Sequence, residues 1–192
     1  MPRRQTKSSL PHLWLFTDDR VADEAMLRAA AALPRGSGIV FRHYARTEDN
    51  RQALFDRLRK LTRRRGCVLL LADSARTAAR WGAEGVHMPG RRGSGAHFAA
   101  RPCGGLCSAS VHSLRELRMA ERAGADLVFL SPVFPTRSHP GANNLGPLRF
   151  AAIARQTRLP VVALGGMTAD RFFRLRPLGA CGWGAIDALT MR

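Results

Sequence analysis

Acidic residues and lysines are scarce in this chain. It sets 14 acidic residues against 31 basic ones, for a formal charge of +17, and Lys7 and Lys60 are its only lysines. Such a charge attracts anionic metabolites or nucleic acid. The arginines are spread along the chain, however, and Tyr44 is the only tyrosine, so aromatics are not interleaved with them as a nucleic-acid surface would require. A solvated basic surface is the preferred reading, and a nucleic-acid-binding protein is the alternative. Long hydrophobic runs are missing too: none approaches the roughly 18 residues that span a bilayer. The basic stretch before Leu13 has no apolar centre of the signal-peptide kind. The expectation is a cytoplasmic protein without a membrane partner, with residues 1–12 as a basic tail. Of the four cysteines, Cys67, Cys103, Cys107 and Cys181, no pair finds the His or Cys partners of a zinc pattern. They read as reduced structural thiols.

What the chain does have is a recurrence of short apolar runs. Strands are predicted at Leu13–Thr17, Ile39–Arg42, Cys67–Leu71, Gly85–Met88, Gly104–Ser108, Asp126–Leu130, Pro160–Leu164 and Cys181–Ile186. Between most of them lie segments with apolar residues at helical spacing, such as "RQALFDRLRKLTRRR" and "SLRELRMAERAGA". Gly66, Gly124 and Gly179 punctuate helix ends, and Ser113 and Thr168 stand where N-caps belong. Eight strand–helix alternations predict a parallel sheet closed into a compact (β/α)8 barrel over residues 13–192, as a single domain. An open doubly wound α/β sheet is the structural rival. At 192 residues the chain is short for a fold that usually needs about 250, so its connections must be tight. The segment "PGRRGSGAHFAARP" after the fourth strand reads as a mobile loop with a stub of helix.

Barrels bind ligands where their strands end. Strand one ends in Thr17, Asp18, Asp19 and Arg20, strand two in Arg42, His43 and Tyr44, and strand three in Asp73 and Ser74. His87 ends strand four and reads as a rim packing residue. Ser108, Ser110 and His112 follow strand five, Ser131, Thr136, Ser138 and His139 follow strand six, and Gly165-Gly166 follows strand seven. The paired glycines let backbone N–H groups approach a ligand, and the helix start at Thr168 favours negative charge. In "SPVFPTRSHPG", Pro132, Pro135 and Pro140 restrict a loop that delivers hydroxyls and cations together.

In chain order, "LWLFTDDR", "LLLADSARTAARWGAEGVHM", "SASVHS", "AGADLVFLSPVFPTRSHPG", "LGPLRFAAIA" and "PVVALGGM" resemble the thiamine phosphate synthase family, with its thiazole tautomerase branch. The resemblance runs from about Leu13 to Ala188. It implies joining of a pyrimidine methyl diphosphate to a thiazole phosphate, with release of diphosphate and Mg²⁺ as cofactor. The expected partners are those phosphorylated small molecules, and a homodimer is left open. The family's Gln-x-Arg-x-Lys at strand two is similar to Val40-Phe41-Arg42-His43-Tyr44, which keeps only the arginine. Its Asn-Asp becomes Ala72-Asp73, one carboxylate for the metal, while the second carboxylate is missing and Arg91 and Arg92 stand in that loop. Its Thr-x-Thr-Lys becomes Thr136-Arg137-Ser138-His139. The resemblance thus implies Arg42, Ser110, His112, Ser138 and His139 as catalytic. It implies Arg42, Thr136, Ser138, His139, Gly165, Gly166, Arg91 and Arg92 for phosphates, and Asp73 for the metal. His112 is similar in position to the tautomerase branch's proton-transferring histidine. The alternative function is therefore a tautomerase-like or catalytically weakened paralogue that binds a thiazole or thiamine phosphate.

Overall fold

A strand buried on both faces reads as a continuous apolar run, which is why a parallel barrel was legible here. The computed structural model describes residues 10–89, 105–137, 141 and 143–190. Within them the strands are β1 (Leu13–Phe16), β2 (Gly38–Phe41), β3 (Val68–Leu71), β4 (Gly85–Met88), β5 (Leu106–Val111), β6 (Leu127–Leu130), β7 (Val161–Ala163) and β8 (Ala180–Ala185). They pair in parallel in sequence order, and β1 closes onto β8. Helices α1 (Asp23–Ala32), α2 (Glu48–Arg65), α3 (Ala75–Trp81), α4 (Leu114–Arg122), α5 (Gly146–Ala154), α6 (Ala169–Leu175) and α7 (Asp187–Thr190) lie between and after the strands. The chain is a (β/α)8 barrel.

The fifth strand lies later than predicted and runs to Val111. Cys107, Ala109 and Val111 pack outward under the helices, Ser108 and Ser110 turn inward, and pairing with β6 carries the ladder as far as Val111 and Leu130. The expected helix stub after β4 lies outside the described residues, as does the basic tail apart from residues 10–12.

Aromatic side chains fill the barrel. Trp14 and Phe16 from β1 meet Phe129 of β6 edge to face, at centroid distances of 5.2 and 4.8 Å. Val40, Leu70, Leu127 and Val162 complete this inner cluster. Glycine at the start of β2 makes it possible, because a Cβ on Gly38 would fall 2.1 Å from the Trp14 ring. The indole N–H is satisfied by the Pro11 carbonyl at 2.7 Å. On the outer face Ile39, Phe41, Leu69 and Leu130 pack against helix residues such as Met26, Phe55 and Leu117.

The helix boundaries follow local chemistry. Gly66 ends α2 in the left-handed conformation at φ 61°. Ser113 accepts from the Glu116 amide at 3.2 Å, and the Glu116 carboxylate reaches back to the amide of His112 at 2.8 Å. Thr168 caps α6 by accepting from the Arg171 amide at 3.3 Å. Thr168→Ala is expected to cost about 1 kcal/mol, read as a lower urea midpoint with an unchanged slope. Among the described residues no helix is long and apolar enough to cross a membrane.

Candidate active site

At the C-terminal end of β6 the chain turns through Ser131 and a cis Pro132, then folds back against β7. The Val133 amide donates to Leu164 O at 2.9 Å and the Phe134 amide to Gly165 O at 3.1 Å. On the other side the amides of Leu145 and Gly146 donate to the carbonyls of Pro132 and Val133, each at 2.9 Å. This contact is the reason for the two glycines. Both have positive φ, 90° and 60°; a Cβ on Gly165 would lie 2.7 Å from Pro132 Cα, and one on Gly166 2.4 Å from Pro135 O. Arg171 donates to the Gly166 carbonyl and lies 4.6 Å over the Phe134 ring, tying α6 to the same turn. Between these backbones opens a cavity of about 360 Å³. Phe16, Leu164 and Ile186 give it apolar walls, and Arg42, His112 and Thr136 bring polar groups to it.

Arg42 is held rigidly. Its Nε donates to Thr17 O at 2.7 Å and an Nη to Asp18 Oδ2 at 2.9 Å, and its guanidinium lies 5.6 Å from the Phe16 centroid. Burial pulls its pKa below the ordinary value while Asp18 pulls the other way; it remains a cation. Burial would raise the Asp18 carboxyl, but bonds from Arg20 and the charge of Arg42 hold it below the usual range. Asp18 supplies the partner that a buried guanidinium needs.

His112 is held through one ring nitrogen. Its Nδ1 lies 2.7 Å from the Ser131 carbonyl, which can only accept, so Nδ1 carries a proton and Nε2 is the nitrogen left for proton exchange. Deeper in the barrel is a second imidazole. His87, read from sequence as a rim packing residue, is instead fully buried inside, between Phe16 and Phe129. Its Nδ1 lies 2.9 Å from Ser108 Oγ and its Nε2 3.0 Å from Ser110 Oγ. Burial pushes its pKa down to about 3, so the ring is neutral. Ser108 donates onward to Val86 O at 3.5 Å, so it accepts from Nδ1–H and Ser110 donates to Nε2. Ser110 is thereby oriented with its lone pairs away from the histidine.

Arg42, His112, Thr136, Gly165 and Gly166 line one cavity. Ser110, on β5, is bonded to His87 and is not part of that lining. Asp73 is elsewhere in the hydrogen-bond network: one oxygen accepts from Arg51 and the other from the Ser74 amide at 2.6 Å. Ser74 caps α3, its hydroxyl accepting from the Thr77 amide. Among the described residues no group of three acidic, histidine or cysteine side chains could hold a metal ion. With Asp73 engaged by a guanidinium, the described residues do not fit a Mg²⁺ cage. Arg91, Arg92, Ser138, His139 and Cys103 lie outside the described residues; Cys67 and Cys181 are free thiols. Two residues escaped the sequence reading. Arg51 reads as one more solvated helix arginine, and Asp187 stands just past the end of β8. Asp187 lines the cavity.

The profile of a family described as thiamine monophosphate synthase matches residues 13–189. The thiamine biosynthesis bifunctional protein ThiED of Geobacter sulfurreducens is 31% identical over 191 residues, covering 97% of this chain but only 38% of that longer protein. The thiamine-phosphate synthase of Chlorobium luteolum is 31% identical over 186 residues, 94% of this chain and 85% of that protein. Among solved structures, thiamine phosphate pyrophosphorylase from Pyrococcus furiosus superposes with a TM-score of 0.76 at 26% identity, over 95% of this chain and 88% of that one.

Proposed function

The chain belongs to the thiamine monophosphate synthase family, and we propose that its cavity joins a pyrimidine methyl diphosphate to a thiazole, thiazole phosphate being the family's acceptor, as a cytoplasmic enzyme of thiamine biosynthesis. The observation that carries this reading is the convergence of Arg42, His112, Thr136 and the Gly165-Gly166 turn on one apolar-walled cavity. In the reaction the methylene–oxygen bond breaks, and its electron pair leaves on diphosphate. The thiazole nitrogen then forms a carbon–nitrogen bond to the resulting cation. The largest requirement is stabilisation of charge on the departing diphosphate by groups already in place.

Arg42 meets that requirement: two of its donors anchor it to Thr17 and Asp18, and the remaining N–H groups serve the leaving group. Arg91, Arg92 and His139 add charge, and Thr136 and Ser138 add hydroxyls. Ser110, held by His87, offers a fixed oxygen to the pyrimidine side. Apolar walls hold the flat rings and keep out water that would capture the cation. Coupling is tested by mass detection of product from the two substrates, with Mg²⁺ and with EDTA. Product is expected, and Arg42→Gln should lower kcat/KM by about 10- to 100-fold. Absence of product under both conditions would sink the synthase reading.

One observation favours a second reading, a tautomerase-like activity. His112 lines the cavity with its Nδ1 held by the Ser131 carbonyl, which leaves Nε2 as the nitrogen that would move a proton on a thiazole phosphate. Solvent deuterium incorporation into a thiazole carboxylate phosphate, lost in His112→Ala, is the outcome that reading requires.

A further inference from the structure

Arginines that are scattered along the sequence are gathered by the fold. Because the strands are parallel, the helices run back against them, and the helix-to-strand turns lie at the barrel end opposite the cavity. At that end Arg35 precedes β2, Arg64 closes α2, Arg122 closes α4, Arg155 and Arg158 lead into β7, and Arg176 leads into β8. All of them are exposed. Among the described residues none of them donates a hydrogen bond or closes a salt bridge. Arg122 acts through space on Glu121, whose carboxylate is engaged by Thr157 and Arg118. Two more carboxylates at this end face strand amides: Glu84 accepts from Leu69 at 3.0 Å and Asp126 from Cys107 at 2.8 Å. Helix ends alone do not account for the pattern. The macrodipole favours a cation within the last turn, which suits Arg64 and Arg122, but Arg35 and Arg158 stand in the turns beyond α1 and α5.

An end of this kind fits a chain of phosphates, since each guanidinium pairs with phosphate oxygens through a fixed fork. An anionic membrane is the poorer match, because binding in its headgroup layer needs an apolar face. Of the described large apolar side chains that are exposed, Tyr44, Leu114 and Leu148 sit at the cavity end, after β2 and at the starts of α4 and α5. Phe173 alone stands near the arginines, in the last turn of α6 and three residues before Arg176. One exposed ring beside a cation is too little to anchor a bilayer, but it is a platform for an unpaired base. We propose that the barrel end opposite the cavity binds single-stranded nucleic acid, with the arginines holding successive phosphates and Phe173 stacking on a base. Such contacts read no sequence, and they leave the cavity open to its own substrates.

The test is fluorescence anisotropy of a labelled, mixed-sequence RNA oligonucleotide titrated with the full chain at increasing salt. The same oligonucleotide annealed to its complement, and vesicles of phosphatidylglycerol in phosphatidylcholine, are run beside it. Saturable binding to the single strand is expected at low salt, with a log–log salt slope of about −2 to −4. The triple variant Arg122→Gln/Arg158→Gln/Arg176→Gln should weaken it by about 10- to 100-fold and make the slope shallower by about 2. Arg76→Gln/Arg115→Gln/Arg149→Gln removes the same formal charge from exposed helix starts at the cavity end. It should cost less than about threefold, because the phosphates are held at the other end. Phe173→Ser should weaken single-strand binding by about 5- to 100-fold and leave duplex binding within about twofold. Every substituted side chain is exposed, so wild-type melting temperatures are expected throughout. The proposal is overturned by absence of saturable binding at low salt, by equal losses in the two triple variants, or by a Phe173→Ser variant that binds the single strand as the wild type does. Vesicle binding that equals RNA binding and falls equally in the first triple variant would assign the surface to a membrane and overturn it too.

Discussion

Arg51→Ala is expected to lower the unfolding free energy by about 3–5 kcal/mol, and the melting temperature by roughly 10 °C. The arginine is buried on α2, yet it serves three acceptors on two other segments. Its Nε donates to Arg42 O at 2.8 Å, one Nη to Ala72 O at 3.0 Å, and the other to Asp73. Its guanidinium lies 5.4 to 5.8 Å from the centroids of Phe41, Tyr44 and Trp81. Alanine would leave two strand-end carbonyls and a carboxylate without their donor, and a flat cation's space empty among aromatics. Arg51→Lys should recover little, because one ammonium cannot reproduce a planar fork aimed at three acceptors. The pH dependence identifies the mechanism. Burial would raise the Asp73 carboxyl, but bonds from Arg51, the Ser74 amide and the Thr77 hydroxyl bring it below its ordinary value. Its stabilising contribution is therefore complete above the ordinary carboxylate range and fades as pH falls through the lowered native value. The gap between wild type and Arg51→Ala should narrow in that acid window. A loss below about 1 kcal/mol at neutral pH would mean that the pair behaves as an exposed surface bridge.

This network also shows where sequence reading stopped. Strands such as Leu127–Leu130 are legible because burial on both faces demands an unbroken apolar run, and glycine caps such as Gly66 delimit them. The end of β5 is not, because Ser108 and Ser110 interrupt the run, and only the His87 hydrogen bonds explain serines facing inward. His87 itself shows the limit of position-based reasoning. Whether a strand-end side chain points to the rim or the core depends on register, and its partner Ser108 is fixed by β4–β5 pairing across a segment with no pattern of its own. That Arg42, His112, Thr136 and the glycine pair share one cavity was legible because strand ends in a closed barrel must converge. Arg51 was not, since helical spacing says that a residue faces inward but not which carbonyls it meets. Asp187 needed no new signal, only the same strand-end question put to β8.

Gly165→Ala should cost about 3–5 kcal/mol of stability and lower coupling by about 100-fold or more. Two effects combine. At φ 90° an L side chain is strained before it touches anything. The added Cβ would also lie 2.7 Å from Pro132 Cα and 2.8 Å from its Cβ, atoms of a ring on the main chain that cannot rotate aside. Relief requires the turn after β6 to move away from β7, which stretches the bonds from Val133 to Leu164 and from Phe134 to Gly165. The same displacement would carry off the Ser131 carbonyl that fixes His112, and with it the segment bearing Thr136. One methyl therefore reaches the hydroxyl and imidazole sides of the cavity together. Gly36→Ala separates the two effects: Gly36 has φ 75°, but its Cβ would meet nothing within 4 Å. It should lose only about 1 kcal/mol from backbone strain and keep full activity. Urea unfolding and initial coupling rates on both variants decide the matter. If Gly165→Ala loses no more than Gly36→Ala, the glycine serves only its dihedral angle, and the β6–β7 contact does not shape the cavity.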